Sequence, residues 1–134
     1  MLSEEKECQD LGITDRVIFL GKREDVFQLL AASDIYVFPT LHENLSNSLL
    51  EAGTMKLPMI ATNVGGNPEV IDDGVEGILV NAENSDTLRD AIEELTFDSG
   101  KRKAMGEAAF RKMEKVFAPA VILEQIDRIF GSIA

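Results

Sequence analysis

The sequence predicts an α/β protein: a parallel sheet of about four strands flanked by helices, followed by a helical last third. Three observations carry this. Short apolar runs at residues 17–20, 35–38, 59–61 and 78–80 are too continuous for strands with one wet face and suit a sheet covered on both sides. Helical patterns alternate with these runs over short connections, as in a mainly parallel sheet. After Val80 the strand signal stops, and residues 85–96, 101–116 and 119–130 read as three consecutive helices.

In chain order, Ser3 is placed to cap a helix over residues 3–11, with Glu4 and Glu5 at the positive end of its dipole. Gly12 stops it. Residues 17–20, Val-Ile-Phe-Leu, form the first strand, ended by Gly21. A helix over 25–32 carries Val26, Phe27, Leu29 and Leu30 as its apolar stripe. Residues 35–38 form the second strand, closed by Pro39, and residues 45–55 a central helix. Residues 59–61 are the third strand. Gly65-Gly66 turns the chain, with Asn67 as N-cap and Pro68 as first position of a short helix through residue 71. Asp72-Asp73-Gly74 is a turn into the last strand, 78–80. In the helical third, Leu88, Ile92 and Leu95 line the first helix, and Val121, Ile122, Ile126, Ile129 and Phe130 the last. The basic cluster Lys101, Arg102, Lys103, Arg111, Lys112 and Lys115 on the middle helix reads as a solvated face.

At 134 residues and 14.7 kDa, a single domain spanning 1–134 is expected, large enough to bury a core. The net charge of −11 argues against nucleic acid or an anionic membrane surface as partner. Cys8 is the single cysteine, so no internal disulfide forms. The charged start fits no signal peptide, which makes the cytoplasm the simplest compartment. No apolar run approaches the roughly 20 residues of a membrane helix. Nothing has metal-ligand spacing, and no Ser/His/Asp or Cys/His set assembles.

The most informative stretch is His42-Glu43-Asn44-Leu45-Ser46-Asn47-Ser48-Leu49-Leu50-Glu51-Ala52. A strand end that runs through a loop into a helix N-terminus is where open α/β sheets hold anionic ligands. A diphosphate there would meet the free N–H groups of Leu45, Ser46 and Asn47. Asn44 or Ser46 reads equally as a plain N-cap. Glu43 belongs to the loop and Glu51 to the helix about two turns along, so the two acids have different jobs and are not an acid/base couple. The two acceptor oxygens of Glu51 suit a vicinal diol, although an exposed helix acid explains it as well. Gly65-Gly66 lets main-chain N–H groups approach a ligand, or is an ordinary tight turn. Gly21, Lys22 and Arg23 follow the first strand, where the cations assist a ligand or are simply solvated. His42 is the only histidine and reads as a loop residue lining the site more readily than as a general base.

Glu43, seven residues, then Glu51 and Ala52 resembles the signature of retaining glycosyltransferases of family 4, in the nucleotide-sugar-binding half of the GT-B fold. The resemblance extends to Val17-Ile18-Phe19-Leu20-Gly21, to Ser33-Asp34-Ile35-Tyr36-Val37-Phe38-Pro39, to Pro58-Met59-Ile60-Ala61-Thr62-Asn63-Val64-Gly65-Gly66-Asn67-Pro68-Glu69, and to Gly77-Ile78-Leu79-Val80. It runs from about Leu11 to Val80. It implies a partial Rossmann-like sheet and transfer of a sugar from a nucleotide diphosphate donor with retained configuration, with no obligatory metal or other cofactor. By the resemblance Glu51 holds the ribose hydroxyls, Glu43 contacts the donor sugar, Gly65-Gly66 borders sugar and phosphate, and Gly21 with Lys22 lies by the nucleobase. Lys56 and Leu57 depart from the pattern, where a helix-ending glycine is frequent.

The resemblance further implies an N-terminal acceptor-binding domain, and two more strands and diphosphate-gripping cations, none of which is found in this sequence. Those cations would resolve the clash between a charge of −11 and an anionic ligand. With two strands absent, a gap is expected between the 17–20 and 35–38 runs, either closed directly or used for homodimerisation through an open sheet edge. The isolated chain is expected to be inactive. A non-catalytic nucleotide-binding or interaction module, or half of a split enzyme, is the alternative. A phosphoacceptor receiver domain is disfavoured, because the strand ending Phe38-Pro39-Thr40 offers no aspartate.

Overall fold

The computed structural model describes residues 3–42 and 47–117. In chain order it contains α1 (Ser3–Leu11), α2 (Val26–Ala31), β1 (Tyr36–Phe38), α3 (Asn47–Thr54), β2 (Met59–Thr62), α4 (Asn67–Val70), β3 (Gly77–Val80), α5 (Ser85–Thr96) and α6 (Ser99–Lys112). A π-helical turn, Met113–Phe117, continues α6. The expected helix over 119–130 lies outside the described residues.

The sheet is parallel, as its apolar runs predict, in the order β1-β2-β3. Tyr36 pairs with Met59, and Met59 with Gly77. Among the described residues the sheet has three strands, not about four. Residues 17–20 form no strand: Val17 has extended backbone, yet Ile18 is 81% exposed and Phe19 and Leu20 are also open to solvent. A parallel strand is stabilised by the ladder beside it, and none of the described strands lies beside this run. Among the described strands the sheet ends at β1, so the 17–20 and 35–38 runs are not paired directly. Apolar composition supplies the wish for burial but not the neighbour.

Alternation along the strands divides the core between two faces. Met59 and Ala61 of β2 pack with Leu49, Leu50 and Ala52 of α3, with Phe27 and Leu30 of α2, and with Val70 and Ile71. Ile60 and Val80 point the other way, onto Ala91 and Leu95 of α5. Helix α6 serves both faces, giving Met105 to one cluster and Ala109 to the other.

Ser3 stands within α1. At the other end Gly12, at φ +69°, closes the helix as expected, with Ile13 N–H on the Cys8 carbonyl. The same closure ends α3 without glycine: Lys56 takes φ +62°, Lys56 N–H meets the Gly53 carbonyl, and Leu57 N–H meets the Ala52 carbonyl. Lysine tolerates this conformation because Nζ lies 5.0 Å over the Phe110 ring and Leu57 is buried.

The basic cluster of α6 is not simply a solvated face. Arg102 donates to the carbonyls of Leu95 (2.6 Å) and Thr96 (2.8 Å), closing α5, and Lys101 pairs with Glu94. Lys112, whose side chain is 13% exposed, reaches Asp72 at 3.2 Å and Glu76 at 3.6 Å. Glu76 is 4% exposed and also accepts the Asp72 N–H at 2.8 Å. Periodicity alone could not show that α6 lies against those groups.

Candidate functional site

The three strands end together at Phe38, Thr62 and Val80. At this carboxyl edge of the sheet α/β folds gather ligands. Polar ties hold the edge in one arrangement. Thr62 donates its hydroxyl to the Thr40 carbonyl at 2.5 Å, linking the segments after β1 and β2. Asn63 N–H meets the Val80 carbonyl at 2.8 Å, linking β2 to β3. The Asn67 side-chain amide donates to the Thr62 carbonyl at 2.9 Å, linking β2 to α4.

Of the residues the sequence singles out, Glu43, Asn44, Leu45 and Ser46 lie outside the described residues. Asn47 opens the described part of α3 and is exposed, while Ser48 and Glu51 are half-buried. Ser48 and Glu51 share the surroundings of Tyr36 on β1, which identifies the α3 face they occupy. Burial raises the Tyr36 phenol above its ordinary range, a hydrogen bond with Ser48 lowers it, and the Glu51 carboxylate raises it again. The phenol thus joins the candidate site, and sequence reasoning missed it. A hydrophobic residue in an apolar strand gives no hint that its polar tip reaches a neighbouring helix. Its ring stacks on that of Phe38, centroids 6.1 Å apart.

Gly65, at φ +53° and exposed, precedes buried Gly66, at φ −84°. With Asn67 N–H on the Val64 carbonyl at 3.1 Å, the two glycines are the central residues of a tight turn, a conformation whose successive N–H groups can serve an anion. Among the described residues, no acceptor meets the N–H of either glycine. Gly66, and not Asn67, is the N-cap of α4; Asn67 is its first residue and turns its side chain back onto β2. That reversal was invisible in the sequence, because asparagine before proline fits a cap equally well.

Gly21, at φ +64°, has open space around it, and Lys22 is exposed. The exposed Arg23 guanidinium is engaged by Asp25 at 2.6 and 2.8 Å, and that hydrogen-bonded pairing holds the Asp25 carboxyl below its usual range. His42 is exposed at the last described position before α3. A crevice of about 260 Å³ also opens at the strand ends, lined by Pro39, Leu41, Thr62, Val80 and Asn84 among others. None of the described residues chosen from sequence lines it. Among the described residues no three His, Cys, Asp or Glu side chains are grouped to hold a metal ion, and no helix is long and apolar enough to cross a membrane.

Comparison with known proteins gives a consistent result. The family described as "Glycosyl transferases group 1" matches residues 2–98. The N-acetyl-alpha-D-glucosaminyl L-malate synthase of Bacillus anthracis is 36% identical over 122 residues, covering 91% of this chain and 32% of the relative. A D-inositol 3-phosphate glycosyltransferase of Corynebacterium diphtheriae is 32% identical over 128 residues, covering 94% and 30%. The chain therefore spans about a third of the length of these curated relatives. Among solved structures, Anabaena Alr3699/HepE in complex with UDP superposes with a TM-score of 0.84 at 29% identity, over 97% of this chain and 36% of that one. The C-terminal domain of the glycosyl transferase group 1 family protein LpcC from Francisella tularensis shares the fold, with a TM-score of 0.76 at 24% identity, over 86% of this chain and 60% of that one. A parallel sheet flanked by helices, a glycine turn at its carboxyl edge and a matched sequence over most of its length together mean that this chain belongs to the group 1 glycosyl transferases, with the GT-B fold.

Proposed function

We propose that residues 1–134 are the partial C-terminal, donor-binding domain of a retaining family 4 glycosyltransferase, holding a nucleotide-sugar whose sugar passes to an acceptor on another domain. The observation that carries this reading is the likeness, over 97% of the chain, to a protein whose structure contains UDP. The N–H groups of Gly65 and Gly66, which meet no acceptor among the described residues, give it a physical basis. Glu51 grips the ribose diol and Glu43, the residue in the catalytic role, contacts the donor sugar. Asn44, Leu45, Ser46 and Asn47 take the diphosphate at the helix start, with His42 beside them, and Gly21 and Lys22 lie by the base. No metal or other cofactor takes part, because the diphosphate charge is met by N–H groups and by cations of the rest of the enzyme. The reaction takes place in the cytoplasm, with the full-length enzyme peripheral to the inner membrane. The isolated chain has no transfer activity.

The test is an NMR titration of the labelled chain with UDP, GDP and ADP beside Glu51→Ala. Shifts at Ser48, Glu51, Gly65 and Gly66, weakened by the substitution, are expected for one nucleotide. Silence toward all three, in a folded chain, refutes a surviving donor site.

A second reading is supported by the exposed run at 17–20 and the open edge of β1: the chain completes its sheet with another polypeptide, either the acceptor-bearing part of a split enzyme or a second copy of itself. Sedimentation giving a monomer at the highest attainable concentration sinks the homodimer.

A further inference from the structure

We propose that Asn67 is a positioning residue that aims the Gly65 and Gly66 N–H groups, an inference that rests on the donor-site reading above. Asn67 is fully buried, and its Nδ2 donates to the Thr62 carbonyl at 2.9 Å. Its Oδ1 has no hydrogen-bond partner among the described residues. A buried acceptor left unpaired costs about as much as one neutral hydrogen bond contributes, so the side chain as a whole adds little stability. Nor does the carbonyl depend on it, since Val64 N–H meets the same Thr62 oxygen at 2.9 Å.

What Asn67 contributes is location. Two donors, one before the glycines and one after, converge on the last carbonyl of β2, and Asn67 N–H adds a bond to the Val64 carbonyl at 3.1 Å. The turn from Thr62 to Asn67 is thereby closed on itself, carrying both glycine N–H groups, which meet no acceptor among the described residues. Thr62 is itself tied to Thr40, so the turn is referenced to the segment that leads toward α3. Freed from the Asn67 amide, Gly65 and Gly66 would turn through alternatives open to few other residues, and their N–H groups would lose a common target.

The discriminating variant is Asn67→Leu, which keeps approximate volume and removes both the donor and the unpaired acceptor. Its denaturant midpoint, the amide signals and hydrogen exchange of Gly65 and Gly66, and its affinity for UDP are compared with those of the unsubstituted chain. The expected result is an unchanged or raised midpoint, displaced and faster-exchanging glycine amides, and roughly tenfold weaker UDP binding. A lowered midpoint with unchanged glycine amides and unchanged affinity would make Asn67 a packing residue and overturn the proposal. If Asn67→Leu fails to fold, Asn67→Asp keeps the shape, removes the donor and gives the same readouts. Should the unsubstituted chain ignore UDP, the donor-site reading fails while the glycine amides still decide the positioning role. Should it bind UDP and Asn67→Leu bind equally well, the positioning role fails and the donor site stands.

Discussion

Replacing Gly106 by alanine tests how α6 is seated against the end of α3. In an exposed helix interior the change stabilises by about 1 kcal/mol through propensity alone. Here a Cβ would overlap the Lys56 carbonyl oxygen, with the Lys56 carbonyl carbon at 2.9 Å. That carbonyl cannot easily retreat. It belongs to the turn in which Leu57 N–H meets the Ala52 carbonyl, with Lys56 at φ +62° and buried Pro58 following. Overpacking against a fixed backbone costs about 2–3 kcal/mol; after the propensity gain, Gly106→Ala is destabilising by about 1–2 kcal/mol. For a chain of this size that is a fall in Tm of roughly 5 °C. Gly100, in the first turn of the same helix, provides the control: its added Cβ would meet only Asp98 Oδ1, at an ordinary 3.6 Å. Gly100→Ala is therefore expected to raise stability by about 0.5 kcal/mol. Both are read by thermal and urea unfolding followed by circular dichroism. If Gly106→Ala raises Tm as Gly100→Ala does, α6 does not press on Lys56, and the account of how α3 is held from its far end is wrong.

Other predictions address the site and its supports. Tyr36 is the only tyrosine and the chain has no tryptophan, so absorbance near 295 nm titrates this phenol alone. Its midpoint should lie above the ordinary value near 10, and Glu51→Gln should lower it; an unmoved midpoint would separate Glu51 from Tyr36. Because the folded pKa is the raised one, the stability tied to the neutral phenol is complete below pH 10 and is lost as pH rises through the folded midpoint. Lys112→Met should destabilise by roughly 3 kcal/mol by leaving Glu76 without its cation. Adding Glu76→Gln should recover most of that loss in urea unfolding, and a loss that persists in the double variant would show the pair is not coupled. Ile18→Lys should leave stability within about 0.5 kcal/mol, since that side chain is already in solvent, and should abolish any self-association through the 17–20 run.

The fold class and the order of elements from residue 26 to residue 112 were legible in the sequence, because each rests on local pattern. Residues 59–61 and 78–80 read as buried strands because both faces of the sheet are covered, and Gly12 and Gly74 read as turns because left-handed backbone favours glycine. Which runs actually paired was not legible: the 17–20 run carries the same pattern as 35–38, but pairing is a property of two segments, and none of the described strands lies beside 17–20. The ties of the site were hidden for the same reason. Thr62 to Thr40, Asn67 to Thr62, and Glu51 and Ser48 beside Tyr36 join residues through space that composition leaves independent. The left-handed Lys56, with its ammonium over Phe110 and Gly106 beneath its carbonyl, exists only because α6 returns to α3. By itself the sequence determined which segments prefer strand, helix or turn and where the chain turns at glycine. Tertiary structure decided which of those segments found a partner, because hydrogen bonds and burial are satisfied between elements and not within them.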